Sequence, residues 1–121
     1  MKYLAGGIAA VVGLALCLSA PHAGEKKAPK YKIADIMQKA HKSGLLKKVQ
    51  SGEASEKERK QLLEFYVALS MNKPPVGKPA DWKKRTDAMV KGARAAVKDA
   101  EAGKKLKVDC MGCHDLHKSE D

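Results

Sequence analysis

Near the end of the chain, Cys110-Met111-Gly112-Cys113-His114 places two thiols and an imidazole within five residues. The spacing C-x-x-C-H is the attachment signature of a c-type haem. Each thiol adds to one vinyl group of the porphyrin, and the histidine that follows sits under the iron. On that reading Cys110 and Cys113 are thioether anchors and His114 is the proximal axial ligand. The motif constrains the fold as well, because the chain must then pack around a large apolar body held at its C-terminal end. Aromatic residues make up only 4% of the sequence, so the protein core alone is thin. One covalent haem c would fill it, much as staples rescue other small scaffolds.

Other uses of the two thiols stay open at this point. A zinc site needs two further soft ligands, and the remaining cysteine, Cys17, lies far upstream in an apolar run. His114 and His117 with the two thiols would crowd all four ligands onto one short segment. A thioredoxin-like redox pair expects a βαβ context, and no strand-like alternation precedes Cys110. A structural disulfide would suit an exported chain.

Export is the expectation from the N-terminus. Met1-Lys2 is a short basic start, Leu4 to Leu18 is apolar, and Ser19-Ala20-Pro21-His22-Ala23 ends on a small residue before Gly24-Glu25-Lys26-Lys27. That is the layout of a secretory signal peptide, residues 1–23, cleaved after Ala23. The apolar run falls short of the roughly 20 residues of a comfortable membrane span, so no stable span is expected after cleavage. Leu16 before Cys17 does not fit a lipoprotein signal, and Cys17 is read as lost with the leader. Covalent haem attachment in bacteria takes place outside the cytoplasm. The leader and the motif therefore support one another, and the expected compartment is the periplasm.

Residues 24–121 suffice for one small domain. After a leader over 24–30, Ile33, Ile36, Met37 and Ala40 recur at helical spacing, and Gly44 ends or kinks that helix before Leu45, Leu46 and Val49. Ser55-Glu56-Lys57-Glu58 is a capping box that opens a second helix. Leu62, Leu63, Tyr66 and Leu69, with Phe65 beside them, form its apolar face to about Met71. Residues 72–80 carry three prolines and a glycine and read as a loop. Trp82, Thr86, Met89, Ala93, Ala96, Val97 and Ala100 mark a third helix, with Asp81 as a candidate N-cap and Gly103 as a candidate C-cap. A short last helix from about Val108 to Lys118 carries the motif. No repeats and no strand signals are present. The expected fold is all-α, an antiparallel four-helix bundle with haem on the C-terminal helix.

An exported, all-helical chain with its C-x-x-C-H on the last helix resembles the class II c-type cytochromes, the cytochrome c-prime family. In that family two variable residues, an aromatic and a basic residue follow the haem histidine. Here Asp115-Leu116-His117-Lys118 fills the pattern, with His117 at the aromatic position. The resemblance implies that His117 and Lys118 lie in the haem surroundings. Ile36-Met37-Gln38 is similar to the Leu-Met-Lys element on the family's first helix, which lines the far side of the haem. This chain is shorter than typical members, so helix lengths are expected to differ.

The resemblance makes Met37 the first candidate for the distal axial ligand. A thioether opposite histidine raises the potential and suits electron transfer; an ordinary core methionine is the competing reading. His41, four residues on and so on the same helical face, is the alternative ligand, and a surface or propionate-bonding histidine competes with that role. Met71 and Met89 are read as core, and Trp82 as core or haem packing. If neither Met37 nor His41 binds, the iron is five-coordinate and open to NO or CO, as in the family's namesakes.

The formal net charge of +10 is spread along the helices (Lys47-Lys48, Arg59-Lys60, Lys83-Lys84-Arg85, Lys104-Lys105). Without interleaved aromatics this does not suggest nucleic acid. It suits steering toward electron-transfer partners with acidic docking surfaces, although a merely soluble surface accounts for the pattern equally well. Relatives are often dimers, so a homodimer is a further expectation. No positioned acid, base or nucleophile points to an enzyme. The expected function is a periplasmic monohaem cytochrome carrying single electrons.

Overall fold

The computed structural model describes residues 28–120. The expected leader over 1–23, its cleavage after Ala23, and Cys17 lie outside the described residues. Those described form helices and no strands: the fold is all-α. No helix among them is long and apolar enough to cross a membrane.

Two long helices form the frame, and each begins where its sequence dictates. Helix α3 (Glu56–Met71) opens on Ser55, whose Oγ accepts from the Glu58 amide at 3.2 Å, while Glu58 Oε2 accepts from the Ser55 amide at 2.8 Å. Both arms of the capping box are therefore made, and two otherwise orphaned amides are satisfied. Substituting Ser55→Ala is expected to cost about 0.5–2 kcal/mol, read as a lowered urea midpoint with an unchanged slope. The helix stops at Asn72, which is extended ahead of Lys73-Pro74-Pro75. Lys73, directly before Pro74, is driven out of the α region, so the helix ends ahead of it. Helix α4 (Pro79–Lys98) begins with Pro79 at its first position, where a missing N–H costs nothing. Asp81 is thus inside the first turn rather than the cap expected of it, and its carboxylate is free for other work.

Helices α3 and α4 pack along each other, and the smaller pieces pack around them. The first helix is less regular than its spacing suggests. It consists of α1 (Ile33–Ile36), a π-helical segment Met37–Lys42, and α2 (Leu45–Gln50), with Gly44 at φ 87° turning the chain between the last two. A left-handed φ is accessible to glycine without strain. The third helix also ends early. Asp99 is extended at φ −150°, and its carboxylate accepts from the Glu101 amide at 3.0 Å to start α5 (Ala100–Lys104). Gly103 is therefore buried inside α5 rather than capping α4. A Cβ there would stand 2.9 Å from the Val49 carbonyl of α2.

The core joins Ile36, Leu62, Phe65, Tyr66, Leu69 and Trp82 to the small Ala93 and Ala96 of α4. Met89 is buried as expected, but Met71, at the exit of α3, is 44% exposed. Asn72 ties three segments together. Its Nδ2 donates to the carbonyls of Tyr31 (2.9 Å) and Ala68 (2.8 Å), and its own carbonyl accepts from Trp82 Nε1 at 2.8 Å.

Candidate haem site

The motif lies on α6 (Cys110–His117), which Asp109 begins. Asp109 Oδ1 accepts from the Gly112 amide at 2.9 Å, and an aspartate suits a helix start both as cap and as charge. Residues three and four apart share a helix face, which relates Cys110 to Cys113 and His114. Cys113 and His114 line the cleft beside this helix while Cys110 does not, and Met111 is turned out, 72% exposed. Gly112 is the residue that fits: a Cβ there would collide with Asp109 Oδ2 and stand 3.1 Å from Arg85 Nη1.

Of the motif's two cysteines, Cys110 is exposed and Cys113 partly buried. Burial pushes the Cys113 thiol up, and the Arg85 guanidinium pulls in the opposite direction. Among the described residues no group of three or more His, Cys, Asp or Glu side chains is disposed to hold a metal ion on its own.

Beside α6 lies a cleft of about 460 Å³, within the range of about 300–1,000 Å³ of ligand pockets. Ile33, Ala34 and Met37 from the N-terminal helix form one part of its lining. Pro75, Trp82, Cys113, His114 and His117 form another, and Lys42 and Lys118 add charge. The structure thus brings Met37, Cys113, His114, His117 and Lys118 to one cavity, although the first lies at least 76 positions from the others in the sequence. A second hollow of about 320 Å³ has Asp81, Arg85, Met89, Val108, Asp109 and again Cys113 in its lining.

His41 is not among the residues lining the larger cleft. Its Nε2 meets the Tyr66 hydroxyl of α3 at 3.0 Å, with the rings edge to face. His41 lies in the π-helical segment Met37–Lys42, whose turns close i→i+5, and its side chain is engaged by Tyr66 of α3. Burial first, and then the nearby His114, hold the His41 imidazole below its ordinary value. Burial also pushes the Tyr66 phenol well up, with Cys110 as the smaller cause.

His117 is 2% exposed, buried more deeply than a residue at a haem edge need be. Its ring stands edge to face with Trp82 at 5.3 Å. Nδ1 lies 3.0 Å from the Val76 carbonyl and Nε2 lies 2.8 Å from Asp81 Oδ2. The same Asp81 oxygen accepts from Arg85 Nε at 2.7 Å. Arg85 first, then His117, hold the Asp81 carboxyl below its ordinary range. Lys118 is exposed at the cleft.

The residues present fit a haem. An imidazole, a thioether and a half-buried thiol open onto one cleft lined largely by aliphatic and aromatic side chains, with two lysines available to carboxylates. Sequence reasoning missed four neighbours: Tyr66 as a polar partner of His41, and the trio Asp81, Arg85 and Asp109. Two signals were there to read. Asp109 directly precedes the motif as a capping residue type, and Asp81 and Arg85 stand at i, i+4 on a helix. No protein-family model, curated protein or solved structure matches the chain.

Proposed function

We propose that the protein is an exported, periplasmic c-type cytochrome that carries single electrons between redox partners, without transforming a substrate. The observation that carries this reading is the convergence of Met37 with Cys113 and His114 on one cleft. Bound there, a haem supplies a one-electron iron couple. Cys110 and Cys113 would hold it through thioethers, His114 would ligate from α6, and Met37 would ligate from the facing segment. Met37 is preferred over His41 because it opens onto the cleft while His41 is engaged by Tyr66. A sulfur ligand favours the reduced iron and raises its potential. Trp82 and Ile33 exclude water, which lowers the local dielectric around the couple. The helices would close as an antiparallel four-helix bundle of the cytochrome c-prime kind, with α3 and α4 as its central pair. The basic surface would draw an acidic partner at a rate that falls with salt.

Absorption spectra test this reading. The protein purified from a host with haem-attachment machinery is expected to be low-spin in both oxidation states and to change little with carbon monoxide. Met37→Ala should convert it to a high-spin form that binds carbon monoxide, while His41→Ala should leave the spectrum nearly unchanged. A parent protein that is already high-spin and takes up carbon monoxide would replace electron carriage with gas binding.

A further inference from the structure

Helix α6 is eight residues long, about 12 Å, and its one extended packing contact with another helix is with α4. Its burial is slight: His117 is the one residue of the helix that is fully covered. Apolar packing of the helix is confined to Cys113 on the core and the His117 ring on Trp82, and the polar groups around it form one continuous chain. At the N-terminal end, Asp109 caps Gly112 with one oxygen and meets Arg85 Nη1 at 3.2 Å with the other. Arg85 Nε reaches Asp81 at 2.7 Å, and the same Asp81 oxygen stands 2.8 Å from His117 Nε2 at the C-terminal end of the helix. His117 Nδ1 continues the chain to the Val76 carbonyl in the proline loop. One aspartate–arginine pair on α4 therefore grips α6 at both ends, with Cys113 and His114 between the grips.

The approach that permits this is close. Gly77 has φ 89°, and a Cβ on it would collide with the Leu116 carbonyl and stand 2.7 Å from His117 Nδ1. Only a residue without a side chain lets the loop reach the histidine. His117 and His114 are three apart on the helix and hence neighbours on its surface. A rotation of α6 that broke either His117 contact would swing the His114 imidazole with it.

We propose that His117 and Asp81 are positioning residues: through the Val76–His117–Asp81–Arg85–Asp109 chain they fix the rotation of α6 and so the direction in which His114 presents its ring to the cleft. The proposal rests on the haem reading for its consequence, but not for its geometry. Ion pairs as exposed as Arg85–Asp109 contribute little to stability. Their role here is orientation.

The test compares the haem-loaded parent with His117→Ala, His117→Gln and Asp81→Asn, and with Leu62→Ala as a control for simple destabilisation, since Leu62 is buried in α3 away from the chain of contacts. His117→Ala is expected to add a high-spin component to the ferrous spectrum and to raise the carbon monoxide association rate at least tenfold. His117→Gln, whose amide nitrogen can still reach Asp81, should recover most of the parent spectrum. Asp81→Asn should move in the same direction as His117→Ala but less far. Leu62→Ala should lower the melting temperature and leave spectrum and carbon monoxide rate alone. In the same samples, amide exchange at Gly112–His117 relative to α3 should quicken at least tenfold in His117→Ala. That last measurement does not depend on haem. A parent without covalent haem but with the exchange effect would overturn the haem reading and keep the clamp. A haem-loaded parent whose spectrum, carbon monoxide rate and exchange are all unmoved by the His117 and Asp81 variants would overturn the clamp alone. Should His117→Ala fail to accumulate, Asp81→Asn and His117→Gln decide the matter by the same readouts.

Discussion

On the proposed reading, the double variant Cys110→Ala, Cys113→Ala carries no haem through denaturing electrophoresis, where the parent shows a haem-stained band at its own mass. The loss should be complete rather than partial, because no other cysteine follows residue 23. Each single variant retains one thioether and so a weakened, shifted band. The double variant should also melt at a markedly lower temperature. Ile33, Met37 and Trp82 line a cleft of about 460 Å³. Without a body held in it, that surface gains nothing from burial at the usual rate of roughly 25 cal/mol per Å². Retention of a covalently bound haem in the double variant would remove the basis for assigning either thiol.

The second large effect is expected from Phe65→Ala. Phe65 is 1% exposed, and Tyr31 stands edge to face with it at 5.0 Å. Truncating a fully buried phenylalanine costs about 3–5 kcal/mol, set against a total of about 5–15 kcal/mol for a typical domain. The urea midpoint should fall by more than about 1 M, given slopes of roughly 1–3 kcal/mol per M. The position matters as much as the size of the loss. Tyr31 leads into the segment that carries Met37, so the change also loosens one wall of the cleft, and the ferrous spectrum should broaden with it. A midpoint within experimental error of the parent would mean that α3 is not the base on which the N-terminal segment rests.

Much of this architecture is legible before any coordinates. Leu62, Leu63, Tyr66 and Leu69 mark α3 by spacing alone, and Ser55 with Glu58 marks its start, because capping is a local matter of four residues. The proline loop is legible for the same reason: φ restriction and missing amides act within one or two residues. The three groups of the attachment motif are read from spacing, and the structure places them on one helix, α6.

What escapes the sequence is decided by tertiary contact. Nothing local announces a π-helix at Met37–Lys42. The wider winding coincides with burial of Ala40 and with His41 reaching Tyr66, a residue 25 positions away. Spacing alone does not separate Met37 from His41; the contact of His41 with Tyr66 and the place of Met37 at the cleft do. Asp81 was legible as a helix-start residue but not as a partner for His117, because the pairing spans 36 positions and requires α6 to be folded back on α4. His117 was read as an aromatic stand-in near a haem edge. Its burial and its two acceptor contacts come from Val76 and Asp81, which only the fold brings together. Arg85 reads in the sequence only as part of a basic run, and its contacts to Asp81 and Asp109 make the three a joint.

Asn72 carries a mechanical consequence. At the exit of α3 one residue serves three segments: its side-chain amide donates to the Tyr31 carbonyl and to the last turn of α3, and its backbone carbonyl accepts from the Trp82 indole. The segment with Met37 and the helix with His114 are thus gauged from a single datum, the first through Tyr31 and the second through Trp82 and the His117 ring packed on it. Positional error in one wall is then not added to error in the other, since both are measured from the same point. A gap between two atoms contributed by distant parts of a small chain can in this way be held to a narrow tolerance without a direct strut across it.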